Sequence, residues 1–137
     1  MTELEMPVSV FDQMVAQARA ALPAESCGIF AGSDNRVERL YEMTNIDNSP
    51  THYTMDPAEQ FAVIKDVRSA GLEMLAIYHS HPESPARPSA EDIRLALTPD
   101  VIYIIVSLLD GNSAVKGFLI NDGDVTEVPV TVGGKPK

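Results

Sequence analysis

Met74-Leu75-Ala76-Ile77-Tyr78-His79-Ser80-His81-Pro82, followed after a short gap by Pro88-Ser89-Ala90-Glu91-Asp92, is the stretch that decides the reading. Five apolar residues in a row, 74–78, read as a buried strand. The histidines follow where that strand gives way to a loop, a common place for α/β proteins to keep chemistry. In an extended chain, residues i and i+2 point to one side. His79 and His81 then project together, roughly 6 to 7 Å apart at the backbone, close enough to lean onto one metal ion.

The rest of the chain is built to support such a strand. Its 137 residues suit one domain with a real core. At 45% hydrophobic and 22% charged it has a globular composition. No apolar run approaches the ~18 residues of a membrane span, and the first ten residues carry no basic region of the signal-peptide kind. A soluble, cytoplasmic protein without membrane partners is expected. One cysteine, Cys27, excludes an internal disulfide framework and a cysteine-rich zinc site. The net charge of −10 argues against nucleic-acid binding.

Residues 9–22 read as a helix capped by Ser9 and ended by Pro23, with Phe11, Met14, Val15, Ala18, Ala21 and Leu22 as its apolar stripe. Residues 27–32 and 36–43 read as a hairpin around the turn 33–35, and 45–53 as a loop. Asp56-Pro57-Ala58-Glu59 signals a second helix, ended by Gly71, with Phe61, Ile64 and Val67 as its buried stripe. The strand 73–78, a short helix 89–97 and strands at 101–109, 113–120 and 124–132 follow, with turns at 110–112 and 121–123. This order predicts an α/β domain over 1–132 with helices packed on a mixed sheet. Residues 133–137, with Gly133-Gly134, are expected to be a flexible tail.

Metal chemistry needs a third ligand, and Asp92 supplies one. A catalytic zinc site takes three protein ligands and leaves one position open. The ten residues between His81 and Asp92 are long enough to fold back, and Pro82, Pro85 and Pro88 stiffen them. Glu25, just ahead of the 27–32 strand, is the natural proton shuttle. A structural alternative stands beside this. Ser89-x-x-Asp92 is also a capping box, and one carboxylate is not expected to serve cap and metal fully. Cys27 reads as a small buried hydrophobe, His52 as a surface residue, and Ser80, pointing away from the histidines, as a supporting hydrogen-bond partner.

Glu25, then His79-Ser80-His81, seven residues, Ser89, two residues and Asp92 together resemble the JAMM (MPN+) metalloprotease motif, and Glu25-Ser26-Cys27-Gly28 resembles that family's acidic segment. The resemblance implies a three-layer α/β/α sandwich related to the cytidine deaminases. It implies Zn²⁺ on His79, His81 and Asp92, with Glu25 as general base toward the attacking water and then general acid toward the leaving amine. Ser89 would hydrogen-bond the oxyanion. The chain looks like the compact prokaryotic branch, whose members resemble peptidases acting on ubiquitin-like β-grasp sulfur-carrier proteins, at an amide bond after the carrier's Gly-Gly tail. A same-motif hydrolase of other small peptides, a RadC-like protein and a non-catalytic scaffold are the alternatives.

Overall fold

The computed structural model describes residues 3–109, 111 and 113–137. Asp110 and Asn112 of the expected 110–112 turn lie outside the described residues. Among the described residues, β1 (Leu4–Met6), β2 (Cys27–Ser33), β3 (Arg36–Met43), β4 (Glu73–His81), β5 (Ile102–Ser107), β6 (Ala114–Asn121), β7 (Asp124–Val128), β8 (Val130–Val132) and β9 (Lys135–Pro136) form one mixed sheet in the order β7-β6-β5-β4-β2-β3-β1-β8-β9. The central pair is β2 (Cys27–Ser33) and β4 (Glu73–His81), flanked by β3 (Arg36–Met43) and β5 (Ile102–Ser107). β2 runs antiparallel to β3 and β4, whereas β4 and β5 are parallel. The β2–β3 turn forms as expected, with Asp34 and Asn35 both at positive φ.

Strand alternation divides the sheet residues between two helix layers. Phe30, Leu40, Tyr78, Ile102 and Ile104 form one core with Val10, Met14 and Ala18 of helix α1 (Val8–Ala21). Cys27, Ile29, Met43 and Ile77 pack on the opposite side with Val63 of α2 (Pro57–Ser69). The α/β/α layering expected from the sequence is present. Among the described residues, no helix is long and apolar enough to cross a membrane.

Several local expectations need correction. Pro7, not Ser9, occupies the N-cap of α1, and Ser9 lies inside its first turn. Leu22 falls past the helix end and is 47% exposed. Asp56 caps α2 through Ala58 N at 2.9 Å, but Glu59 turns away and accepts both the backbone N–H and the hydroxyl of Thr44 at 2.7 Å. Val67 is buried, while Phe61 and Ile64 are 68% and 44% exposed. The expected Phe61–Ile64–Val67 stripe is therefore only partly buried.

The larger correction concerns the two chain ends. Leu4–Met6 is a strand, β1, inserted parallel between β3 and β8. The expected strand 124–132 is two: β7 (Asp124–Val128) pairs with β6 (Ala114–Asn121), and β8 (Val130–Val132) pairs with β1. Pro129 separates them, and it has no N–H to continue a ladder. β7 and β8 adjoin in sequence but stand far apart in strand order, so the sheet curls until its halves meet. Gly117 on β6 lets them touch, since a Cβ there would lie 2.9 Å from Val130 Cγ2. Residues 133–137, expected beyond the domain as a tail, turn back onto the sheet. Gly133 and Gly134 turn at positive φ, and β9 (Lys135–Pro136) pairs back on β8.

Candidate metal centre

His79 and His81 are still within β4, because the strand runs on past Tyr78 and pairs through His81 with Ser107. Both side chains are buried on the α2 face of the sheet. Ser89 and Asp92 belong to the start of α3 (Ala90–Arg94). The Pro-rich connection brings that helix back over the strand, as its length allowed.

The three expected donors converge. His79 Nε2 and His81 Nε2 are 3.0 Å apart, and each is 3.1 Å from Asp92 Oδ2. His81 Nδ1 pairs with the Pro85 carbonyl at 2.8 Å. A carbonyl can only accept, so Nδ1 carries the proton and the neutral ring keeps its lone pair on Nε2. That lone pair faces a carboxylate oxygen and a second imidazole. The three ligand atoms lie close enough together to hold one metal ion.

Electrostatics fits the same picture. Burial pushes Asp92 up, but the two imidazoles packed against it and the Ser89 N–H outweigh burial and hold the carboxyl far below its usual range. Burial lowers His79. Burial also acts to lower His81, but the nearby Asp92 carboxylate and the Pro85 carbonyl, which both favour the charged ring, prevail and raise it. An ionised carboxylate thus faces two nitrogens in a dry pocket.

The capping box and the donor set share one atom. Ser89 N donates to Asp92 Oδ2 at 2.9 Å, and Asp92 N donates to Ser89 Oγ at 3.0 Å. A carboxylate oxygen has two lone pairs, so Oδ2 takes the cap bond and still faces the histidines. The expected conflict between cap and metal does not arise. Ser89 Oγ accepts in this box, which leaves its own proton free to donate.

Glu25 is 4% exposed and precedes β2, whose Cys27 is paired with His79. Continued by two residues, that register sets Glu25 beside His81, whose charge acts on it. Burial pushes its carboxyl up to about 8 against the pull of His81, with Asp92 and Glu91 adding to the rise. Among the described residues, no protein atom hydrogen-bonds its Oε1. The backbone is fixed: Glu25 N donates to Ser49 O at 2.8 Å, and Asn45 Nδ2 donates to Glu25 O at 3.1 Å.

Ser80 points to the opposite face, as strand alternation required. Its Oγ accepts from Ser26 N at 2.8 Å and Ser26 Oγ at 3.0 Å, and Tyr78 Oη donates to Ser26 Oγ at 3.0 Å. These bonds lock the residue next to Glu25. Burial pushes the Cys27 thiol up to about 12, so it stays protonated and inert. His52 lies in the loop before α2 and pairs with Ser49 and Asp47, apart from the donor group. Tyr53, Asn45 and the Pro85 carbonyl join the site without a sequence motif to announce them. A cavity of about 170 Å³ opens beside the donors, walled by Tyr53, Pro88, Leu95, Tyr103 and Ile105.

Known proteins are similar to this chain. The CysO-cysteine peptidase of Mycobacterium tuberculosis is 40% identical over 132 residues, 94% of this chain and 90% of that protein. The probable TtuB-protein conjugate cleaving protease of Thermus thermophilus is 36% identical over 123 residues, 88% of this chain and 78% of that protein. A solution structure of a Desulfitobacterium hafniense protein superposes with a TM-score of 0.86 at 44% identity, covering 94% of this chain and 92% of that one. Residues 7–118 match the family described as prokaryotic homologs of the JAB domain, and the chain belongs to that family.

Proposed function

We propose that this chain is a zinc-dependent peptidase that hydrolyses the amide bond after the C-terminal tail of a ubiquitin-like β-grasp sulfur-carrier protein. The observation that carries the reading is the triangle of His79 Nε2, His81 Nε2 and Asp92 Oδ2, with sides of 3.0 and 3.1 Å, beside the buried carboxyl of Glu25. Donors about 2.0–2.1 Å from one tetrahedral zinc stand about 3.3–3.4 Å apart, so these three need move only a few tenths of an ångström. Two imidazoles with one carboxylate suit zinc better than the hard cations magnesium or calcium. The substrate class is supported by the CysO-cysteine peptidase and TtuB-conjugate protease relatives.

Zinc held by these ligands supplies Lewis acidity toward the scissile carbonyl and lowers the pKa of an attacking water. Glu25 takes that water's proton and returns it to the leaving amine. A carboxyl raised to about 8 by burial is drawn down by a nearby cation, which brings it near the operating pH for both steps. Ser89 donates its free hydroxyl proton to the oxygen that gains charge at the carbonyl. His81 is kept in its tautomer by Pro85, and Ser80 with Ser26 keeps Glu25 in place. The products are a carboxylate on the carrier and a free amine.

The test is incubation of zinc-loaded protein with a β-grasp carrier extended past Gly-Gly, either by one residue or through a lysine amide, followed by mass spectrometry. Cleavage after Gly-Gly is expected, with retained zinc and no cleavage in Glu25→Gln. A wild type that binds no zinc overturns the metal centre. Cleavage of unrelated peptides with the carrier left intact overturns the substrate class.

A further inference from the structure

His79 and His81 face the same point from the same strand, yet their rings are held differently. His81 has the Nδ1 bond to the Pro85 carbonyl, the usual device that orients a ligating imidazole. Among the described residues, no protein atom pairs with Nδ1 of the buried His79. Its neighbour is Tyr53, whose ring lies over the imidazole with centroids 4.8 Å apart and planes 24° apart. Stacking at this range has a preferred geometry and an attraction comparable to a net hydrogen bond.

A ring on a free loop would aim nothing, and the loop is not free. Asn45 Nδ2 donates to His52 O at 3.0 Å, and Asn45 Oδ1 accepts from Thr54 N at 3.1 Å. One side chain thus holds the residues on both sides of Tyr53. The same Nδ2 holds the Glu25 carbonyl at 3.1 Å, and Asn45 also pairs with Met55 in a β-bridge.

We propose that Tyr53, clamped by Asn45, is a positioning residue for His79, supplying by ring stacking the orientation that a hydrogen bond supplies to His81. The inference rests on the donor triangle being a metal centre. It makes the loop after β3 part of the metal site, with Asn45 as the common support of Tyr53 and Glu25.

Zinc dissociation constants measured by chelator competition test this on the full chain. Tyr53→Phe keeps the ring and is expected to bind within about twofold of wild type. Tyr53→Leu removes it and is expected to bind about tenfold or more weakly, the usual range for a lost outer partner. In the metal-free wild type, the His79 ring protons are expected upfield of those of His81 in proton NMR, and this offset should vanish in Tyr53→Leu. If Tyr53→Leu does not fold, Asn45→Ala frees the loop and is expected to weaken zinc in the same direction. Unchanged affinity in the folded variant, equal losses in Tyr53→Phe and Tyr53→Leu, or no upfield offset in wild type overturns the role of Tyr53. A wild type without zinc affinity overturns the metal centre itself, and this role with it.

Discussion

Glu25→Gln should make the metal-free protein more stable while removing its activity. In the folded chain Glu25 titrates near 8 instead of 4.5 because burial disfavours its charge. Between those values the folded state keeps a proton that the unfolded state has released. Stability from this group is therefore complete below about 4.5 and is lost as pH rises toward 8. Each pH unit in that window costs about 1.4 kcal/mol. Relaxation of the site around the ionised carboxyl reduces the total, so about 2–3 kcal/mol is the expected loss by pH 8. Glutamine has the same shape and no charge, so it escapes that loss. The assay is guanidinium unfolding of chelator-treated wild type and Glu25→Gln between pH 5 and 8. The two curves should nearly meet at pH 5 and separate steadily, with the variant about 2–3 kcal/mol more stable at pH 8. That gain corresponds to about 6–12 °C in melting temperature for a chain of this size. Zinc should narrow the gap by stabilising the ionised carboxylate. Parallel curves would refute the buried, raised carboxyl and the reasoning built on it.

Other perturbations read other parts of the framework. Ser80→Ala leaves the buried Ser26 N–H without its acceptor, and should lower stability by about 1–3 kcal/mol and kcat more than KM, with zinc content unchanged; zinc loss would show that Ser80 supports the metal donors. Gly28→Ala would set a Cβ 2.6 Å from the Tyr78 ring and 2.8 Å from Tyr41 O, so its unfolding midpoint should fall by the equivalent of about 1–3 kcal/mol, and an unchanged midpoint would show that β2 can slide. Chelation should lower the melting temperature, with free zinc at a hundred times its dissociation constant returning about 2.7 kcal/mol; indifference to zinc would count against a metal centre.

The site was legible because its main parts follow local rules. Period two along β4 put His79 and His81 on one face and Ser80 on the other, and Ser89-x-x-Asp92 marked a helix start. Tyr53 was not legible, because stacking depends on where a loop returns in space, and no spacing encodes that. The split of 124–132 was marked by Pro129, but where β8 would go depended on β1, three residues too short to show a pattern. Phe61 and Ile64 repeat at helical spacing, yet periodicity names a face without saying what covers it. Glu59 reaches Thr44, a contact between residues distant in sequence that helical periodicity does not announce.

On the proposed reading, Asp92 would serve both the cap and the metal, which bears on how such a small domain can hold an ion. A carboxylate on a free loop would have to be immobilised when the ion binds, and that lost freedom would weaken affinity. Here Oδ2 is already fixed by the Ser89 N–H at 2.9 Å, in a box that forms whenever α3 forms. A helix of five residues has little stability of its own, so cap and ligand reinforce each other. The cap would order the carboxylate before metal arrives, and a bound ion would in turn hold the cap closed. His81 is ordered in the same way by the Pro85 carbonyl, within the same connection. The segment from His81 to Asp92 therefore carries both the folding signal and the coordination geometry, with no added insertion needed to build the centre.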